Sequence, residues 1–474
     1  MIINLVIFVV LAIILLTIWF NYRHNDVKWK EHKIDVSGLR FPKGFLWGAT
    51  TSAHQVEGGC DRNDWAIWER SYDLNAYPRI KNGQRSGKAA DHWNRFRGDI
   101  DLLKQIGANA YRFSVEWSKV CPQPNKWDIS AIDHYIDVCQ YLQHSGVTPF
   151  MTLHHFTIPD WLYERGGFEN PDAIHYYTDF VGKVAEALGP YVDYWATFNE
   201  PVVYAMMGWV FGKFPPGKKD LCLAARVLAN ILQAHHRAYH ILHEIDRSDA
   251  DGDGIPCRVG IVNSIPLFDP ARKWWLPDWI VAKIQHRLFN QSVLDAFITE
   301  RFKYNLWNVV NFSHDIPGLS NTLDWIGLNY YTQYLCRLDR KSDYRMRTYP
   351  NPKLPQTDMN WAIYPAGLYR SLQMIRSFGV PIYITENGIA TEDSGLRKDF
   401  ILKHIDAMHE AMLDGVDVRG YFYWSLMDNF EWAEGFDKRF GLYHVDYETQ
   451  KRTLKDGSEI YKELIQSVQY KQHD

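Results

Sequence analysis

The stretch PIYITENGIA, residues 381–390, joins a short apolar run to a carboxylate. Residues 382–384 are all strand-forming side chains, and Glu386 follows after a single threonine. A carboxylate at the end of a buried strand is costly to desolvate unless it is paired or used in chemistry. The stretch therefore predicts a buried strand whose end holds Glu386 at a polar site.

Seven other runs have the same character, each short, apolar and followed by a helical stretch: FLWGAT (45–50), AYRFSV (110–115), VTPFMTL (147–153), YWATF (194–198), VGIV (259–262), WIGLNY (325–330) and GYFYW (420–424). Eight apolar strands that alternate with helices predict a parallel sheet covered by helices, and eight is the number that closes a barrel. The competing architecture is a doubly wound open sheet, but no G-x-G-x-x-G follows any run. We therefore expect an α/β fold, a (β/α)8 TIM barrel, over residues 40–468.

The first 20 residues differ from the rest of the chain. Residues 2–20 carry no charge, and 19 such residues are enough to cross a hydrocarbon core of ~30 Å. No basic residue precedes this segment and no small-residue cleavage site ends it, so we expect an uncleaved transmembrane helix over residues 1–20 rather than a signal peptide. A polar juxtamembrane linker over residues 21–39 then leads to the barrel.

Charge predicts the orientation of this single-pass membrane protein. Four basic residues follow the apolar segment closely: Arg23, Lys28, Lys30 and Lys33. The positive-inside rule therefore places the barrel on the cytoplasmic side, with membrane lipid as a partner of residues 2–20. Two glycosylation sequons, at Asn290 and Asn311, point to the other side, but such triplets are common by chance.

Composition restricts the class of protein. The chain has 474 residues, of which 46 % are hydrophobic and 23 % charged, which is a globular composition. A net charge of −4 does not indicate a nucleic-acid partner, and none is expected. The 19 tryptophans indicate either a bulky core or a carbohydrate site, because sugar rings stack on indoles. Six cysteines without a C-x-x-C pair predict free thiols and no zinc knuckle.

Nearly every predicted strand ends on a polar or aromatic side chain. The strands of a (β/α)8 barrel all point to one mouth, so we expect these side chains to share a site. They are, in chain order, Gln55, Arg112, His155, Asn199, Glu200, Asn263, Asn329, Tyr331, Glu386 and Trp424. For any single residue, a polar side chain that only forms hydrogen bonds in the core or caps a loop is the simpler explanation. That explanation does not account for so many such residues together.

Two of these side chains are carboxylates from different strands, Glu200 and Glu386. Glycoside hydrolysis requires two carboxyl groups that flank the scissile bond, one ionised and one protonated. Arg112 and the hydroxyl of Tyr331 favour the charged form of a neighbour, most simply Glu386. Glu200 lies among apolar residues and is the better candidate for a raised pKa. The alternative is that the two carboxylates have a structural role only and form salt bridges at the rim.

Five motifs resemble those of the retaining β-glycosidases of glycoside hydrolase family 1: FPKGFLWGATTSAHQVEG (41–58), TFNEP (197–201), WIGLNYY (325–331), ITENGI (384–389) and YWSLMDNFEWAEGF (423–436). The resemblance as a whole runs from about residue 40 to residue 465. The resemblance implies that Glu386 is the nucleophile and Glu200 the acid/base. It also implies a trough for the non-reducing sugar, lined by Gln55, His155, Asn199, Glu431 and Trp432. Trp424 would form the stacking floor of that trough, and Trp361 would line the aglycone entrance.

The chain departs from the family pattern at two positions and differs from three subgroups. Phe156 stands where the family usually has Trp, and Thr157 replaces a frequent Asp. Members that act on phosphorylated sugars have Ser in place of Glu431, and an anion there repels phosphate, so an unphosphorylated sugar is expected. Thioglucosidases have Gln in place of Glu200. Non-catalytic members lack one of the two glutamates.

The expected function is hydrolysis, with retention, of terminal non-reducing β-D-glycosyl residues: a glucoside first, also a galactoside or fucoside. The substrate is a small-molecule or lipid-linked β-glycoside, and no cofactor or metal is expected. The acidic stretch DADGDGIPC (249–257) has calcium-loop spacing, but Gly260 occupies the position of the required Glu. Two alternatives remain: a membrane-tethered transglycosylase acting on glycolipids, and a non-catalytic sugar-binding protein.

Overall fold

Eight parallel strands close into a barrel in the computed structural model, which describes residues 2–23, 34 and 38–470. The strands are β1 (Leu46–Thr50), β2 (Ala110–Ser114), β3 (Thr148–His154), β4 (Tyr194–Asn199), β5 (Arg258–Ser264), β6 (Trp325–Asn329), β7 (Ile382–Asn387) and β8 (Val418–Trp424). Each strand pairs with the next, and β8 pairs with β1 in the register Leu46↔Gly420. The predicted (β/α)8 TIM barrel is confirmed, with one strand at each of the eight apolar runs.

Aromatic side chains fill the interior of the barrel. The Phe150 ring lies at its centre, with ring centroids 4.8 Å from Trp325, 5.1 Å from Phe422 and 5.5 Å from Tyr383. Gly260 leaves room for this packing, because a Cβ there would lie 2.4 Å from the Trp325 ring. The interior is therefore a packed core and not a pore, and the chemistry is confined to the mouth.

Amphipathic helices cover the outside of the barrel: His92–Gln105, Ile129–His144, Ala173–Leu188, Leu221–Ile245, Leu276–His286, Ser292–Thr299, Pro365–Ile375, Ser394–Leu413 and Glu459–Tyr470. Shorter helices lie in the loops after β1 to β4: Ala53–Val56, Asp64–Glu69, Trp117–Val120, Asp160–Glu164 and Pro201–Trp209. In the first of these helices Phe96, Ile100 and Leu103 form a buried apolar stripe, whereas the helix Leu276–His286 packs on Phe268 and Cys336, outside the barrel strands.

Three small sheets in the connections are absent from the sequence prediction. Their strands are Leu267–Pro270, Gln333–Leu338 and Met346–Pro350 in one sheet, Arg301–Leu306 and Val310–Asp315 in a second, and Tyr443–Asp446 and Lys451–Leu454 in a third. These strands are short and mostly half-exposed, so they lack the continuous apolar run that marks a barrel strand.

The apolar N-terminal segment is a single helix, Ile2–Arg23, and it ends three residues beyond the predicted boundary. Its residues Asn4–Tyr22 are long and apolar enough to cross a membrane. Its large apolar side chains are exposed along most of its length, so they do not pack on the barrel. The linker residues Lys28, Lys30 and Lys33 lie outside the described part of the chain, and the predicted domain boundaries stay predictions.

Two further features concern the folded barrel. All six cysteines are free, as the sequence predicts. The side chain of Asn290 is buried, and its Nδ2 donates a hydrogen bond to the carbonyl of Pro266 at 2.8 Å. Asn311 is exposed. Because the Asn290 amide is occupied, Asn311 is the sequon of the two that a glycosylating enzyme could reach on the folded chain.

Candidate active site

Glu386 lies near the end of β7 and is buried, with 4 % of its surface exposed. Arg112 Nη1 donates to Glu386 Oε1 at 2.8 Å, and the Tyr331 hydroxyl donates to Oε2, also at 2.8 Å. Both carboxylate oxygens therefore have a partner, and one of the partners is a cation. This pairing offsets the cost of burying a charge at the end of the strand.

Arg112 is itself held in one position by the neighbouring strands. It comes from β2 and is fully buried. Its Nη2 donates to Asn199 Oδ1 at 2.8 Å, and its Nε donates to Thr152 Oγ1 at 3.1 Å. Thr152, on β3, was not among the predicted site residues, because it lies inside the strand rather than at its end. The guanidinium thus links four strands at one point.

Glu200 follows β4 directly and precedes the helix Pro201–Trp209, with a left-handed backbone (φ 49°). Asn329 Nδ2 donates to Glu200 Oε1 at 2.9 Å. The orientation of that amide is determined by Thr385, whose hydroxyl donates to Asn329 Oδ1 at 2.7 Å. The partner of Glu200 is therefore a neutral amide, whereas the partner of Glu386 is a guanidinium.

This difference separates the two carboxyl groups electrostatically. Burial, with the nearby charge of Glu386 as the second cause, raises the pKa of Glu200 to about 8. Burial also raises the pKa of Glu386, but the charge and hydrogen bond of Arg112 and the hydrogen bond of Tyr331 oppose that rise. The guanidinium therefore favours the negative charge on Glu386, and Glu200, beside a neutral amide, is the better place for the proton of the pair.

A third carboxyl group, Glu431, lies beside Gln55 on the same rim. Gln55 Nε2 donates to Glu431 Oε2 at 3.2 Å, to the carbonyl of Phe430 at 2.9 Å and to Asn429 Oδ1 at 3.0 Å. Burial, with the charge of Glu386 next, raises the pKa of Glu431 to about 8. Asn429 was not singled out from the sequence, because only the three-dimensional contact shows that it orients Gln55.

Aromatic rings surround His155. Its ring is nearly parallel to those of Trp424 and Trp432, with centroids 5.9 Å and 6.1 Å away. Asn199 Oδ1 accepts from Arg112, so its Nδ2 is the donor that lies 3.1 Å from His155 Nε2. Burial lowers the pKa of His155, which is therefore neutral and carries its hydrogen on Nδ1. That Nδ1 is buried and has no protein partner in the described part of the chain.

Trp361 lies further out, beside Tyr331, with ring centroids 5.2 Å apart. Arg112 lies in the middle of β2 and reaches the site by its long side chain. The other predicted residues lie near the C-terminal ends of the strands or in the loops that follow them: Gln55, His155, Asn199, Glu200, Asn263, Asn329, Tyr331, Trp361, Glu386, Trp424, Glu431 and Trp432. Tryptophans occur both in the core, as Trp325 does, and near the mouth, as Trp424 and Trp432 do, and the interpretation of the latter as a carbohydrate site stays a prediction.

The acidic stretch 249–257 forms a separate turn before β5. Asp249 accepts hydrogen bonds from the backbone N–H groups of Gly252, Asp253 and Gly254, and Arg258 pairs with Asp253. Asp193 lies close to Asp249 and Asp251, which makes a cluster of three carboxylates. Backbone N–H groups of the loop and Arg258 already contact several of the carboxylate oxygens that a calcium ion would need as ligands. The expectation that this stretch binds no metal stays a prediction.

The fold and the site together define a class of protein. Two buried carboxyl groups with different proton affinities, at the aromatic mouth of a (β/α)8 barrel, are the arrangement of a glycosidase. The family model for glycosyl hydrolase family 1 matches residues 38–470, and the chain belongs to this family of enzymes.

Relatives of known name agree with this membership. The chain is 34 % identical to a 1,4-beta-D-glucan glucohydrolase of Thermotoga neapolitana over 453 residues, 90 % of this chain and 98 % of the relative. A beta-glycosidase structure from Pyrococcus horikoshii is 40 % identical, with a TM-score of 0.81 over 91 % of this chain and 96 % of the other. A beta-glucosidase from Thermotoga maritima in complex with glucoimidazole is 31 % identical, with a TM-score of 0.82 over 90 % and 99 %.

We expect the substitution Arg112→Met to reduce the free energy of unfolding by about 3–5 kcal/mol, because it leaves Glu386 buried without its cation. The measurement is denaturant unfolding at neutral pH, with Glu386→Gln and the double variant as controls. The double variant should lose less than the two single losses combined, because removing both charges leaves none unpaired. Additive losses would show that the two side chains do not interact.

Proposed function

We propose that this enzyme hydrolyses terminal non-reducing β-D-glucosyl residues with retention, using Glu386 as the nucleophile and Glu200 as the acid/base. The observation that carries the proposal is the unequal environment of the two carboxyl groups: a guanidinium and a phenol hydroxyl at Glu386, a neutral amide at Glu200. The names of the relatives, a glucan glucohydrolase and a beta-glucosidase, favour a glucoside.

In the first step, an oxygen of Glu386 attacks the anomeric carbon while Glu200 gives its proton to the leaving oxygen. Covalent bonding neutralises Glu386, and that negative charge is one of the two main causes of the raised pKa of Glu200. The pKa of Glu200 therefore falls in the intermediate. In the second step Glu200 is a carboxylate and takes the proton of the attacking water.

A membrane alcohol can compete with that water for the same intermediate, which is the transglycosylase alternative. Hydrolysis and transfer then differ only in which acceptor reaches the glycosyl-enzyme. The ratio of free sugar to transfer product, measured with an added alcohol, distinguishes them. A non-catalytic sugar-binding role is disfavoured, because both carboxyl groups are present and close enough to influence each other's titration.

The non-reducing sugar would occupy the space between Gln55, Glu431 and the rings of Trp424 and Trp432. Gln55 and Glu431 offer polar atoms to the hydroxyl groups, and the indoles offer flat apolar faces. The Nδ1–H of His155, which has no hydrogen-bond partner among the described residues, supplies a further donor. A charged phosphate on this sugar would meet Glu431, which repels an anion when ionised and, with its pKa raised to about 8, offers no positive charge when protonated, so an unphosphorylated substrate is favoured.

We propose, in addition, that Ile2–Arg23 is an uncleaved membrane anchor. The support is its length, its lack of charge before Arg23 and its exposed apolar side chains. A cleaved signal sequence is the alternative, since it satisfies the same criteria of length and composition. The cytoplasmic orientation rests on the basic residues of the linker alone and stays a prediction.

We expect Glu386→Gly to abolish hydrolysis, because no glycosyl-enzyme can form. Azide should enter the vacated space and restore turnover of a dinitrophenyl β-glucoside, giving the inverted α-glucosyl azide. The matched control is Glu200→Gly, for which azide should give the retained β-glucosyl azide, because Glu386 still attacks first. The measurement is NMR of the product anomer; the same anomer from both variants would overturn the assignment of roles.

The pH profile tests the proton on Glu200. With an alkyl glucoside, kcat/KM should fall as pH rises through about 8, because Glu200 loses the proton that the leaving group needs. With a dinitrophenyl glucoside, whose leaving group needs no proton, that fall should be absent. A parallel fall with both substrates would assign the titration to another group, such as Glu431, which titrates in the same range.

Deleting residues 1–30 should release the enzyme from membranes in a high-salt wash and leave kcat/KM on a small aryl glucoside unchanged, because no residue of the barrel is removed. The matched full-length control is Val10→Arg with Ile14→Arg, which places two charges within the apolar helix at a cost of roughly 2.5–3.5 kcal/mol each. Fractionation followed by activity assay is the measurement. A truncated protein that still pellets with lipid after the wash would contradict the anchor.

A further inference from the structure

One region of the barrel surface exposes tryptophan and basic side chains together. It consists of residues 271–291, which include the helix Leu276–His286, and the hairpin of Gln333–Leu338 and Met346–Pro350 packed against that helix. We call this region the anchor-side patch. Trp274 is 71 % exposed and Trp275 is 40 % exposed, which is unusual for so large an apolar side chain in water.

The N-terminal helix rests on this patch by its last turn. The Phe20 ring stacks on Trp279 at 5.7 Å with an interplanar angle of 12°, and Asn21 Nδ2 donates to the carbonyl of Lys273 at 2.9 Å. The residues before Phe20 are those proposed to lie in lipid. A helix that leaves the bilayer at Phe20 therefore places Trp274 and Trp275 at the level of the lipid headgroups, where tryptophan is enriched.

The charge of the patch is opposite to that of the whole chain. Its 39 residues contain nine Lys and Arg against three Asp, whereas the net charge of the protein is −4. Asp278 is buried and paired with Arg272 at 2.8 Å, and Asp339 lies 3.7 Å from Arg347. Ile280 and Lys283 of the helix and Arg287, which directly follows it, are all exposed at spacings of three and four residues, which places them on one side.

The patch is also close to the mouth of the barrel. Tyr331, which donates to Glu386, is followed after one residue by the strand Gln333–Leu338. Val281 and Ala282 of the helix pack on Cys336 of that strand. At ~3.3 Å per residue, this contact lies within roughly 20 Å of Tyr331 along the chain. A membrane under the patch would therefore lie beside the active site.

We propose that the anchor-side patch binds the surface of an anionic lipid bilayer, and that the substrates of this enzyme include β-glycosides whose aglycone remains in that bilayer. This rests on the proposed anchor and the proposed glycosidase site. The anchor alone would attach the enzyme to the bilayer at one point only. The tryptophans and basic residues add a second attachment, which holds the mouth next to the headgroups.

The test uses the full-length enzyme in vesicles of phosphatidylcholine, with or without phosphatidylglycerol. The substrates are a hexadecyl β-glucoside in the bilayer and a nitrophenyl β-glucoside in solution. Lys283→Glu with Arg287→Glu should lower the rate on the bilayer substrate about ten-fold in anionic vesicles and much less in neutral ones. Trp274→Ser with Trp275→Ser should lower it in both. Neither variant should change the rate on the soluble substrate.

The matched control is Arg226→Glu with Arg237→Glu, two exposed arginines of another outer helix, Leu221–Ile245. It should leave both rates unchanged. Equal rates for the patch variants and this control on the bilayer substrate would overturn the proposal. If the unmodified enzyme does not cleave the soluble glucoside, the proposed function fails instead.

Hydrogen exchange gives a readout that needs no catalysis. Amides of residues 271–287 should exchange more slowly in anionic vesicles than in detergent, and the Lys283→Glu, Arg287→Glu variant should lose this protection. Equal exchange in vesicles and detergent would contradict bilayer contact. Protection that instead rises with protein concentration in detergent would assign the patch to a second copy of the chain and would likewise overturn the proposal.

Discussion

The arrangement of the site depends on one buried cation, the guanidinium of Arg112. It is fully enclosed and donates to Glu386, Asn199 and Thr152, which come from three other strands. Burying an arginine is costly unless nearly all of its N–H groups find acceptors with good geometry. Only a closed barrel brings these strand positions within hydrogen-bond distance of one group. The contacts that hold the Glu386 carboxylate in place therefore form only when the sheet closes into a barrel.

The same cation distinguishes the two glutamates chemically. Both lie at the ends of barrel strands and both are buried, so burial alone would raise the pKa of each. The position of one guanidinium makes Glu386 the better place for the negative charge and leaves the proton with Glu200. Two identical side chains thus acquire opposite properties from their neighbours. Glu431 is a third buried carboxyl group nearby, and after burial the charge of Glu386 is the main cause of its raised pKa.

The connections after β5 and β6 join the mouth of the barrel to the N-terminal helix. They hold the small sheet and the helix on which the N-terminal helix rests, and they begin where Asn329 and Tyr331 end the barrel strand. The apolar helix and the catalytic mouth are thereby attached to the same part of the barrel. The barrel itself is similar to those of the relatives named above. The connections after β5 and β6 link its mouth to the apolar N-terminal helix.

The sequence by itself determined the eight strands, the helices between them, the apolar N-terminal helix and the rim residues, because period, charge and position relative to a strand end are local properties. It did not indicate Thr152, Thr385 or Asn429, whose roles arise from contacts with residues far away in the chain. Nor did the sequence indicate the contact of Phe20 with Trp279. Only the tertiary structure decided these pairings, because the hydrogen bonds and ring contacts of a closed barrel depend on distances that no local pattern encodes.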